Sequence, residues 1–140
     1  MIVAVAILTA GAYIAVHLYR QQLSAGPKGT LQAYVDGYNA RDVDKVYGLF
    51  SSRAAWMLSG TVEYALKTKA EFGNIRITGW SAQEENVTEN TAVLMAQITY
   101  SYSVPMLYSG SKTESVCLPM VLENGKWLID NSKLIDLPWL

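Results

Sequence analysis

The sequence predicts an α+β fold in which an N-terminal transmembrane helix is followed by three helices and a curved antiparallel sheet that wraps them. Three observations carry that expectation. The first nineteen residues, Met1 to Tyr19, contain no Asp, Glu, Lys or Arg. From Thr30 to Phe72 apolar residues recur at helical spacing, and beyond Gly73 the period drops to two. Helices first and strands afterwards indicate an α+β domain rather than alternating units on a parallel sheet.

At ~1.5 Å per residue, a helix over Met1–Tyr19 reaches roughly 28 Å, close to the hydrocarbon thickness of a bilayer. We therefore expect a transmembrane or assembly helix over residues 1–23, a hinge over 24–29 and a folded domain over 30–140. A cleaved secretory signal fits less well, because the segment lacks a positively charged n-region and the apolar run is long for one. A helix buried in a soluble core is the remaining alternative. Ala6 with Ala10, and Gly11 with Ala15, are small residues four apart, the spacing that lets a second helix approach closely in lipid. Tyr13 and Tyr19 suit the headgroup boundary, with Arg20 next to it. His17 is the only histidine of the chain and has no Cys, Asp or Glu near it, so an interfacial role is expected rather than metal ligation. Arg20 and Lys28 tilt the positive-inside rule towards a cytoplasmic domain. A filament subunit of the pilin type also begins with an apolar helix, but bacterial pilins carry a Glu near its start. Here there is none, and Met1 reads as an ordinary start.

The remainder is of single-domain size and large enough for one core. A net charge of -1 and the lack of a basic run exclude a typical nucleic-acid binder. The single cysteine, Cys117, has no partner for a disulfide or a zinc site and falls in the apolar run Val116–Leu122, so a buried thiol is expected. No metal site and no cofactor motif are found. Asn86-Val87-Thr88 has the form of a glycosylation sequon, a pattern short enough to arise by chance.

Ser24-Ala25-Gly26-Pro27-Lys28-Gly29 is a breaker cluster that ends the first helix. Thr30 reads as an N-cap, after which Leu31, Tyr34, Val35 and Tyr38 line one face of a helix that Asn39-Ala40-Arg41 stops. Asp42 caps a second helix with Val43, Val46, Tyr47 and Phe50 on its apolar side. Ser51 to Gly60 is less regular, with Trp56, Met57 and Leu58 expected beneath the helices. A third helix starts near Thr61, carries Glu63 in its first turn, presents Val62, Ala65, Leu66 and Phe72, and ends at Gly73.

Ile75 and Ile77 then alternate with polar residues, and a polar stretch from Gln83 to Asn90 reads as a turn. In the next strand Ala92, Leu94, Ala96, Ile98, Tyr100 and Tyr102 share one face. Tyr108 to Lys112, with Gly110, reads as a turn. Val116, Leu118, Met120 and Leu122 point inward from the third strand, Glu123-Asn124-Gly125 signals a tight hairpin, and Lys126 to Asp130 forms the last strand.

Three of these stretches together resemble the nuclear-transport-factor-2-like superfamily, the cystatin-like α+β roll. They are Ala-Tyr-x-x-x-Tyr-Asn-x-x-Asp at Ala33–Asp42, Leu-Phe-Ser-Ser closing the second helix, and Glu-Asn-Gly-Lys-Trp-Leu-Ile-Asp at Glu123–Asp130. The match covers roughly Gly29 to Leu134, and tethered bacterial and archaeal members are the nearest in kind. The resemblance implies a cone with a pocket between sheet and helices, with Trp127 packed inside and Asp42 as a cap. An extracytoplasmic domain is also implied, against the weak pull of the flanking charges. Members include isomerases, dehydratases, cyclases, ligand binders and assembly scaffolds. The isomerase type needs a carboxylate just after the second helix, where this chain has Arg53, and the dehydratases need a histidine that the domain lacks.

Tyr34, Tyr38, Tyr100, Tyr102 and Met120 are the residues expected to line a small apolar cavity or simply to fill the cone. The expected function is a non-catalytic, membrane-anchored scaffold or accessory subunit. Its expected partners are the lipid bilayer and other membrane or filament subunits, copies of itself included. Trp139 and Leu140, in the apolar tail Leu137-Pro138-Trp139-Leu140, are candidate partner contacts, unless the tail folds back over its own sheet. Two alternatives stand beside that reading. One is a module for a small apolar ligand, and the other is a proton-transfer enzyme using Glu114 or Asp130.

Overall fold

The computed structural model describes residues 26–139. Ala6, Ala10, Gly11, Ala15, His17 and Leu140 lie outside the described residues, as does the apolar leading segment. No helix among the described residues is long and apolar enough to cross a membrane.

Helix α1 spans Pro27–Asn39, with Pro27 at its first position, where a missing N–H costs no hydrogen bond. Thr30 therefore lies inside the helix rather than capping it. Its buried hydroxyl donates to the carbonyl oxygen of Trp127 at 2.7 Å and ties α1 to the end of the sheet. Helix α2 spans Val43–Tyr47, and the Asp42 carboxylate accepts from the Lys45 N–H as its cap. Helix α3 spans Ser52–Met57, capped by Ser51. Ser51, Ala54 and Leu58 are the buried residues of the stretch Ser51–Gly60. Trp56 and Met57, expected beneath the helices, face outward at 84% and 62% exposure because they lie on the opposite side of the turn.

A continuous helical rod follows over residues 61–72, made of α4 (Thr61–Glu63), a π-helical stretch (Tyr64–Lys69) and α5 (Ala70–Phe72). The wider π turn retards the angular phase of everything after it. Ala70 is thereby carried into the core, and Phe72, expected on the apolar side, is left 70% exposed.

Four antiparallel strands complete the fold in the order β1 (Arg76–Glu85), β2 (Thr91–Val104), β3 (Tyr108–Glu123) and β4 (Lys126–Ile129). β1 runs on to Glu85, further than expected, and a bulge between Ile77 and Gly79 resets its register so that Trp80 pairs with Ile98 on the helix side. The β2–β3 turn is at Pro105–Leu107, with Met106 at φ 66, and not at Tyr108–Lys112, which belongs to β3. Gly110 sits opposite Tyr102, and a Cβ there would come within 2.9 Å of the phenol oxygen. Asn124 and Gly125, both at positive φ, form the tight β3–β4 hairpin.

The core lies between the inward sheet face and the helices. Leu31, Tyr34, Tyr38, Val46, Leu66, Leu94, Ile98, Tyr100, Leu118 and Ile129 are all at most 1% exposed. Trp127 packs against this core without being fully enclosed. Cys117, expected to be buried, is exposed: it pairs with Met95 on the outward face, one position out of phase with inward Val116 and Leu118.

Candidate functional site

The interior of the cone brings together four of the five residues expected there. Tyr34, Tyr38, Tyr100 and Met120 are all buried to 1% exposure or less. Their rings interlock: Tyr34 meets Phe50 edge-on at 6.1 Å between centroids, and Tyr38 meets Tyr100 in the same manner at 6.1 Å. Tyr102 lies apart, half-buried at the rim against Tyr108, 5.6 Å away.

The Tyr34 and Tyr100 hydroxyls have no hydrogen-bond partner. Burial pushes all three phenols up. Tyr34 rises well above its ordinary value, with further upward pressure from Tyr100, Tyr38 and Asp136. Tyr38 rises to about 12 despite the downward pull of the Arg41 guanidinium. Tyr100 is raised by burial first and by Tyr38 and Glu114 after it. The interior is thus a set of neutral phenols, a poor place to develop charge.

The mouth of the cone is closed by the chain's own end. A 3-10 turn at Leu134–Asp136 buries Leu134 and Ile135 completely, and Leu137 follows them into the core. The main chain beyond is held by side chains from two elements. Lys69 Nζ, on the rod, donates to the carbonyl oxygens of Asp136 at 2.5 Å and Pro138 at 2.9 Å. Lys112 Nζ, on β3, donates to the carbonyl oxygen of Trp139, whose own N–H donates to Glu114 Oε1 at 3.3 Å. Glu114 and Lys112 are themselves paired at 3.1 Å. Partial burial pulls the Lys69 ammonium below its ordinary value, against the opposing attraction of Asp136 and Glu114. The Trp139 ring, 61% exposed, lies 6.0 Å from Lys69 Nζ.

Both carboxylates named as candidate acids are engaged. Glu114 holds the tail as described. Asp130, just past β4, accepts from Ser51 Oγ at 2.7 Å and pairs with Arg53 at 2.6 Å, fixing the start of α3 to the end of β4. Among the described residues no group of three His, Cys, Asp or Glu side chains is placed to hold a metal ion.

Sequence reasoning missed Lys69 and Lys112, and named Glu114 only as a candidate acid, not as a partner of the tail. A signal existed: Lys112 and Glu114 share parity with Val116, Leu118 and Met120, so charges stood at inward positions of β3. Reading Tyr108–Lys112 as a turn hid it.

A separate open depression of about 660 Å³ lies on the outward sheet face, between Ser81, Gln83, Met95, Gln97, Ser115 and Cys117.

No family model matches the chain, and no curated protein does. Solved structures do. A Nostoc punctiforme domain of unknown function with a cystatin-like fold aligns at a TM-score of 0.58 and 12% identity, over 73% of this chain and 69% of that one. A Xanthomonas campestris domain named for the calcium/calmodulin dependent protein kinase II association domain aligns at 0.52 and 15%, over 74% and 83%. A Campylobacter jejuni protein named as an NTF2-like transpeptidase aligns at 0.51 and 13%, over 76% and 98%. At these identities the likeness is one of fold: the described residues share the cystatin-like α+β fold of these structures.

Proposed function

We propose that the chain is a non-catalytic assembly module, held at a membrane by its apolar leading segment, which docks beside other subunits, copies of itself included. The observation that carries this reading is the filled cone. Where an enzyme or carrier of this shape needs room for a substrate, Tyr34, Tyr38, Tyr100 and Met120 occupy the interior at 1% exposure or less. The two candidate carboxylates are each engaged in an ion pair, Asp130 with Arg53 and Glu114 with Lys112. Docking surface is available elsewhere: Trp56 and Met57 on α3, Met106 and Leu107 on the β2–β3 turn, and Met95 on the outward sheet face are all exposed. Fold alone does not assign a function, and the likeness to a domain named for association is support of that limited kind.

The test is purification of the full chain from native membranes in a mild detergent, with identification of what co-migrates. Partners are expected, and Gly11→Leu with Ala15→Leu is expected to reduce their recovery, because bulk at those positions keeps a neighbouring helix at a distance. A chain that fractionates with the soluble material, or that runs from the membrane as a lone monomer, would overturn the reading.

One observation favours a second reading, a binder of a small apolar ligand bearing a hydrogen-bond acceptor. The buried Tyr34 and Tyr100 hydroxyls lack a partner, and an acceptor reaching them would satisfy both. A bound small molecule released on denaturing the purified chain would support it, and an empty extract would remove it.

A further inference from the structure

The segment Leu134–Trp139 is seated in the mouth of the cone as a peptide ligand is seated in a receptor. Its apolar side chains Leu134, Ile135 and Leu137 fill the opening. Three of its carbonyl oxygens, those of Asp136, Pro138 and Trp139, accept from Lys69 and Lys112, and the Trp139 N–H donates to Glu114. The hydrogen bonds are all to main chain, in the shape that the 3-10 turn at Leu134–Asp136 gives the segment, and the Lys69 ammonium also lies against the Trp139 ring. The groups that supply it come from the rod and from β3, so the seat is complete without the tail.

The connection is also short and local. β4 ends at Ile129, and the chain turns through Asn131, whose Oδ1 accepts from the Lys133 N–H at 2.7 Å. Of the backbone hydrogen bonds of the 3-10 turn, Leu137 N–H to Leu134 O is internal to the segment, and Asp136 N–H to Lys133 O ties it only to the adjoining turn. Lifting the segment as a unit therefore breaks side-chain contacts and leaves the sheet ladder intact.

We infer that the cone mouth is a peptide-binding site occupied in cis by the chain's own C-terminal segment, and that its partner in trans is the same segment of a second copy. The second copy is the occupant because it alone carries, by identity, the sequence whose fit is on view. Exchange of an identical element between protomers needs no new contact surface, only an opened turn at Asn131–Lys133. The inference does not depend on the membrane tether.

The experiment uses the full chain in detergent micelles, truncated after Lys133, together with a fluorescein-labelled peptide of residues 134–140. The truncated chain is expected to bind the peptide by fluorescence polarisation and to gain at least about 10 °C in thermal midpoint at ~100 times the dissociation constant. A truncated chain that is unfolded alone is read by the same midpoint, since binding then restores the transition. Lys69→Met with Lys112→Met is expected to weaken binding at least ~10-fold, the loss of about one charge-assisted hydrogen bond. The intact chain is expected to take up the peptide as well, more weakly, by displacement of its own tail. No polarisation change and no rise in midpoint with the truncated chain would overturn the site. Binding to the truncated chain with none to the intact chain at millimolar peptide would overturn the exchange.

Discussion

Asn39 pairs with both main-chain groups of Ile77. Its Nδ2 donates to the Ile77 carbonyl oxygen at 2.9 Å, and its Oδ1 accepts from the Ile77 N–H at 2.8 Å. The last side chain of α1 thus substitutes for a neighbouring strand at the edge of the sheet, next to the β1 bulge. Asn39→Ala would leave a nearly buried N–H and C=O unpaired and is expected to cost about 2 kcal/mol. Asn39→Asp keeps the acceptor but sets a carboxylate oxygen against the Ile77 carbonyl, so it is expected to destabilise at least as much. Urea unfolding monitored by circular dichroism checks both.

Arg41 clamps three segments. Its guanidinium donates to the carbonyls of Tyr38, Ala70 and Ile75 and pairs with Glu71 at 3.0 Å, with its side chain only 12% exposed. Arg41→Met is expected to cost about 2–3 kcal/mol, because charged donors are removed from acceptors that water reaches poorly. Arg41→Lys is expected to recover less than half of that loss, since an ammonium lacks the planar fork. Glu71→Gln, which affects only the exposed side of the clamp, is expected to change stability by under about 1 kcal/mol. Thermal midpoints of the three variants give the ranking.

The unpartnered hydroxyls yield a prediction of opposite sign. Removing a buried hydroxyl that has no partner relieves its desolvation cost, so Tyr34→Phe and Tyr100→Phe are each expected to stabilise the domain by about 1 kcal/mol. A loss of stability in both would mean that the hydroxyls are satisfied in solution.

Alkaline pH acts on the same cluster. Tyr38 has its phenol raised from 10.0 to about 12, and Tyr34 and Tyr100 are raised as well. The unfolded chain releases these protons first, so the stability they contribute is whole below pH 10 and is lost as pH climbs from there through 12. For each buried phenol the loss is about 1.4 kcal/mol per pH unit in that window. Unfolding midpoints between pH 9 and 11.5 are expected to stay level up to about pH 10 and to fall above it.

Cys117 supplies a direct check on strand register. Its exposure on the outward face predicts that the native protein reacts with a thiol reagent at a rate within about tenfold of a free thiol, without prior unfolding. Protection until denaturation would place β3 one residue out of register.

The primary structure alone determined the succession of helices then strands, the change of period at Gly73, the Asp42 cap, the Asn124-Gly125 hairpin and three of the four tyrosines expected inside, but not the short helix Ser52–Met57, read as irregular, nor the place of Tyr102 at the rim. Those are local properties: side-chain periodicity, capping chemistry and positive-φ preference act within a few residues. What the folded structure decided were the phases and the long-range closures. The π turn at Tyr64–Lys69 moved Phe72 out and Ala70 in, the bulge before Gly79 turned Trp80 inward, and the true turn at Pro105–Leu107 made Lys112 and Glu114 part of the third strand. A one-residue change of phase costs the sequence pattern almost nothing but exchanges the two faces of an element, so packing against the rest of the molecule is what selects it. The fate of the tail was decided in the same way, because Lys69 and Lys112 lie far from Trp139 along the chain and meet it only once the rod and the third strand flank one opening.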